Sequence, residues 1–164
     1  MSIGIPSVND LKEAVLATTR ALSQKADLDR DFRSNEDLEF TLPAPPKNKS
    51  ELAFYRGKAD AMACAKRFRD DEIFIDTGAQ KLNSLLENLE DVRVEVLGSK
   101  KYPGVSANIK AKFEQKCREN FLLEDKEDLL ESALEAWLRQ ILLKEIPTKS
   151  ALNSLKPWKK LLNE

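Results

Sequence analysis

The chain has 164 residues, 41% of them hydrophobic and 34% charged, which suffices for one core and a single domain. Its 27 basic and 28 acidic residues leave a net charge of −1, which excludes a general binder of nucleic acid or of anionic membranes. No apolar run reaches membrane-spanning length, and the N-terminus MSIGIPSVNDLKE lacks the charged and apolar regions of a secretory signal, so a cytoplasmic protein is expected.

The spacing predicts a first helix over 9–24, capped by Ser7 or Asn9, with Val8, Leu11, Val15, Thr18 and Leu22 inward. A charge-mixed loop follows, then LEFTL (Leu38 to Leu42), which alternates as a short strand does, then the stiff connector PAPPKNKS. Ser50 is the expected cap of a second helix reaching Arg69. Ile73 to Ile75 forms a second extended run that could pair with LEFTL. A third helix spans 78–97 and is expected to end at Gly98 in the left-handed conformation that closes helices. Pro103 and Gly104 turn the chain into a fourth helix over 105–120. A fifth over 125–144 carries a broad apolar stripe of Leu129, Leu130, Ala133, Leu134, Trp137, Leu138, Ile141 and Leu142. Pro147 ends it, and Thr148 caps a last helical stretch interrupted at Pro157. The fold class is therefore mainly α: five to six helices, at most one small β-hairpin, one domain.

The absence of histidine removes His-based triads and the usual His-containing zinc sites. Cys64 and Cys117 lie far apart and read as buried free thiols. No catalytic residue and no metal-ligand set is evident, and the order G-x-x-x-x-G-K-[ST] of a phosphate loop is missing. On the third helix Arg93 falls in phase with the apolar stripe of Leu82, Leu86 and Leu89. A guanidinium there needs a carboxylate, and Glu90 is one candidate for a structural ion pair. Glu87, Asp91 and Glu95 step by four along what reads as a solvated face. Ser99, Lys100 and Lys101 after Gly98 form a basic turn open to a partner's carboxylate. Trp137 belongs to the stripe and reads as core, whereas Trp158 is either a packing anchor or a contact residue.

Several ordered segments resemble one family. EDVRVEVLGSKKYPGVSANI is similar to a pattern in which a helix ending A-R-V-E-A-x-G-S-R-R precedes x-x-G-V-x-x-N-L; Arg93, Glu95, Gly98, Ser99, Gly104, Val105 and Asn108 fit, and Lys100 and Lys101 replace the arginines. LPAPPKNKSELAFYRGKADAMACAKRF resembles L-P-x-x-P followed by R-G-x-x-D-x-M-A, here Arg56, Gly57, Asp60, Met62 and Ala63, and Pro157-Trp158 matches an R-P-W. These are motifs of the T subunit of aerobic, ATP-dependent cobaltochelatase. The resemblance implies a non-catalytic N-terminal domain that meets an AAA+ ATPase subunit and a large tetrapyrrole-binding subunit while cobalt enters hydrogenobyrinic acid a,c-diamide on the aerobic route to cobalamin. Cobalt and Mg-ATP would be handled by the partner subunits, so no cofactor is expected in this chain. The family's C-terminal von Willebrand factor A-type domain is expected to be absent from these 164 residues, because D-x-S-x-S does not occur. Lys100, Lys101 and Tyr102 are the expected partner contacts, followed by Trp158. The alternative is a helical adaptor of another AAA+ and von Willebrand A pair that serves a different metalloenzyme.

Overall fold

Helical periodicity is realised as six α-helices of seven residues or more in a computed structural model whose described residues are 8–24, 46, 48–70, 72, 76–123 and 126–162. They are α1 (Val8–Ser23), α2 (Lys49–Phe68), α3 (Gln80–Lys101), α4 (Pro103–Leu123), α5 (Lys126–Leu143) and α6 (Lys149–Leu155); a 3-10 turn (Lys156–Trp158) leads into a last short helix, α7 (Lys159–Leu162). No strand occurs among the described residues. LEFTL and Ile73 to Ile75, the two halves of the expected hairpin, lie outside them.

Local chemistry sets the helix ends. Asn48, not Ser50, caps α2: its Oδ1 accepts from the Glu51 amide at 2.9 Å while its Nδ2 donates to Glu51 Oε1 at 2.7 Å. Thr148 caps α6 as expected, accepting from the Ala151 amide at 3.3 Å. The expected stop at Gly98 is not one. Helix α3 runs on to Lys101 and is closed by Tyr102, whose extended backbone (φ −132°, ψ 107°) is what the following Pro103 demands. Pro103 then opens α4, where a missing amide costs nothing.

Gly98 serves packing instead. A Cβ there would overlap Cys64 Sγ on α2, so the glycine lets α3 approach α2 closely. Gly57 does the same for α2 and α4, where a Cβ would overlap the Asn108 carbonyl. Helix α4 is central and touches α2, α3, α5 and α6; α1 lies on α2 and α6 on α5. Apolar burial among the described residues falls into three clusters. Leu11, Val15, Tyr55 and Ala59 join α1 to α2. Cys64, Val94, Val105 and Ile109 join α2, α3 and α4. Phe113, Cys117, Ala136 and Ala151 join α4, α5 and α6.

Helix α5 departs from its predicted orientation. Its buried face is Ser132, Ala133, Glu135, Ala136 and Arg139, whereas Ile141 and Leu142 of the apolar stripe are 53% and 39% exposed and Trp137 is only half-buried. The two alanines permit close approach, and the charges meet partners supplied by α3 and α4.

Candidate functional site

Two of the motif segments converge on one cleft of about 500 Å³ between α1, α2 and the start of α4. Helix α2 brings Arg56 and Asp60, one turn apart, and α4 brings Gly104, Val105 and Asn108. Asp60 sits at the floor, 4% exposed, and its Oδ2 accepts from Asn108 Nδ2 at 2.8 Å. Burial raises the Asp60 pKa, against the opposing pull of Asn108 and of the Arg56 charge. Val15, Ala59 and Val105 supply buried apolar wall, Tyr102 stands half-buried beside them, and Arg56 is exposed. The volume lies within the range of ordinary ligand pockets, with a few polar groups on an apolar lining.

A second polar assembly is centred on three buried side chains, Arg139, Glu95 and Glu135. Arg139 donates from Nη2 to Glu95 Oε2 at 2.6 Å and from Nε to Glu135 Oε1 at 3.1 Å. Lys112 pairs with Glu95, Lys116 Nζ lies 3.3 Å from Glu135 Oε2, and the guanidinium rests 5.1 Å from the Phe113 ring centroid. Burial pushes the Glu95 carboxyl upward. Burial also opposes ionisation of Glu135, but Arg139, Lys116 and Lys112 outweigh it and hold that carboxyl below its usual range. The network ties α3, α4 and α5 together. Glu95 is therefore not on a solvated face: at 3% exposure it is a buried acceptor, while Glu87 and Asp91 on the same ladder are exposed.

The other site residues stand as follows. Arg93 is bidentate to Glu90, with Nε to Oε2 at 2.6 Å and Nη2 to Oε1 at 2.7 Å, and Nη2 also donates to the Phe68 carbonyl at 2.8 Å. Its side chain is 39% exposed, so it borders the core rather than entering it, and it satisfies an orphan carbonyl at the end of α2. The hydrogen bonds from Arg93 hold the Glu90 pKa below its usual range. Lys100 and Lys101 are exposed in the last turn of α3, where cations complement the helix dipole. The segment is thus a helix C-terminus, which presents carbonyls rather than amides, with both lysines in solvent. Tyr102 packs against the second apolar cluster, with Lys101 Nζ 5.7 Å and Arg67 Cζ 5.9 Å from its ring centroid. Of Lys100, Lys101 and Tyr102, Tyr102 alone lines the cleft, from the α3–α4 junction. Trp158, half-buried in the 3-10 turn with an indole N–H that finds no partner among the described residues, belongs to the far end of the chain.

Sequence reasoning missed Asp60 with Asn108 and Glu95 with Arg139. The first pair was marked by motif residues on two helices, Asp60 after Arg56-Gly57 and Asn108 after Gly104-Val105. The second was marked by Ser132, Glu135 and Arg139, a polar stripe at three-and-four spacing opposite the apolar one.

No group of three or more Cys, Asp or Glu side chains among the described residues is arranged to hold a metal ion, and no described helix is long and apolar enough to cross a membrane. No curated protein and no solved structure matches the chain. One family does, over residues 6–164 and so across all the motif segments above: the chain belongs to the family described as cobalamin biosynthesis protein CobT.

Proposed function

We propose that this chain acts as a non-catalytic subunit, or the N-terminal domain of one, in the ATP-dependent cobaltochelatase that inserts cobalt into hydrogenobyrinic acid a,c-diamide during aerobic cobalamin synthesis. The observation that carries the reading is the family match over residues 6–164. In this reading cobalt is cargo and the tetrapyrrole is substrate, both held by a large subunit, while an AAA+ subunit hydrolyses ATP. The chain contributes rigid surface. Its exposed cations Lys100 and Lys101, beside Tyr102, steer an acidic patch of a partner, and such rim charges act mainly on association rate and salt sensitivity.

The test is a pull-down of the intact chain with the ATPase subunit and the large subunit from the same source, at low and high salt. The parent is expected to co-purify with at least one of them and to lose binding as salt rises. Reversing Lys100 and Lys101 to glutamate should weaken capture while unfolding stability stays within about 1 to 2 kcal/mol, the sum of two helix-end charge effects. A parent chain that captures neither subunit refutes the reading.

A further inference from the structure

The cleft between α1, α2 and α4 holds a buried acid whose bonding is incomplete. Asp60 is 4% exposed, and only one of its oxygens has a partner: Oδ2 accepts from Asn108, while no described residue donates to Oδ1. Oδ1 is not sealed from solvent, so it opens onto the cleft and is within reach of an incoming donor. Arg56, the cation that acts on it through space, is exposed and makes no hydrogen bond or ion pair with a described residue. Asp60 also lines a cleft of about 500 Å³ with apolar walls at Val15, Ala59 and Val105. Gly104, on the lining of the cleft, leaves open space beside it: a Cβ there would meet no atom within 4 Å.

We infer that this cleft is a socket for a lysine or arginine side chain of a partner protein, with its aliphatic stem along the apolar walls and its charged head on Asp60 Oδ1. Long cationic side chains combine such a stem with such a head, and a charge-assisted bond to a buried carboxylate is the strong kind. A neutral amide would leave the Asp60 charge uncompensated, and an acidic side chain would be repelled. Arg56, in water at the rim, opposes the incoming cation only weakly through the high dielectric and is free to swing toward a carboxylate of the same partner. The inference rests on the reading of the chain as an interaction subunit.

The first arm of the test is an NMR titration of the intact ¹⁵N-labelled chain with N-acetyl-arginine methylamide. Amide shifts are expected at Ala59, Val105 and Asn108, saturating in the millimolar range. Asp60→Asn should weaken the probe about tenfold or more, and affinity should fall as pH is lowered through the raised Asp60 pKa, because the ligand needs the charged form. If the neutral probe N-acetyl-norleucine methylamide binds as well, or if no shift appears, the inference is overturned. Gly104→Leu provides a second variant that fills the opening without touching the Asp60–Asn108 pair, and it should abolish the shifts. The second arm is capture of the ATPase and large subunits. If the parent binds and both Asp60→Asn and Gly104→Leu bind equally well, the socket is wrong while the interaction reading stands; if the parent binds neither subunit, both fall.

Discussion

Replacing Arg139 with methionine removes the only side chain among the described residues that hydrogen-bonds both buried glutamates, Glu95 and Glu135. The two bonds lost are charge-assisted and contribute about 1.5–3 kcal/mol each. Lys112 and Lys116 remain to neutralise one glutamate apiece, and the flexible methionine fills most of the vacated space. The net loss expected is therefore about 3–5 kcal/mol, the usual range for breaking a buried ion pair. In a chain of this size that lowers Tm by roughly 6–20 °C. Urea unfolding followed by circular dichroism measures it. The loss should shrink on acidification: without the guanidinium, burial raises the glutamate pKa values, and a folded carboxyl that holds its proton more tightly than the unfolded one costs less as pH falls. If Arg139→Met alone lies within about 1 kcal/mol of the parent, the two lysines suffice and the buried network is not the joint between α3, α4 and α5.

Gly98→Ala should destabilise the fold by about 1–3 kcal/mol through overpacking against Cys64, and a second change, Cys64→Ala, should recover part of it in the same unfolding assay. Arg93→Ala should cost only about 1–2 kcal/mol, because the guanidinium is 39% exposed; a loss above about 3 kcal/mol would mean that it is desolvated after all. Burial pushes the Cys64 and Cys117 thiols up to about 12, so both should resist iodoacetamide at pH 8 in the folded chain and react promptly in urea.

The helices themselves were legible because the apolar residues repeat at three and four, and Thr148 and Pro103 marked their ends by chemistry that acts within one turn. Gly98 misled for a physical reason. A glycine near a helix end satisfies either a left-handed terminus or a close crossing, and only the position of Cys64, on another helix, decides between them. Arg93 fell in phase with the apolar stripe, but a helix face is wide enough for a long side chain to reach the edge and bond the Phe68 carbonyl. The inversion of α5 was the hardest to read. Its stripe is apolar by composition, yet burial follows the charges, because Glu95, Lys112 and Lys116 on neighbouring helices leave no other place for Glu135 and Arg139 to be satisfied. The cleft was legible only as two motifs; that they meet depends on the crossing of α2 and α4 at Gly57, which no local pattern reveals.

Helix α4 is also the one long element shared by the second and third apolar clusters, with Val105 and Ile109 in one and Phe113 and Cys117 in the other. An opening that frees α6 from α5 breaks only the third cluster, and one that lifts α1 from α2 breaks the first and takes Leu22 from the edge of the second. Neither exposes the amides of α4. Protection against hydrogen exchange should therefore peak in the middle of α4 and fall toward both ends of the chain, so that local openings relax at different free energies while whole-chain unfolding waits on a single helix.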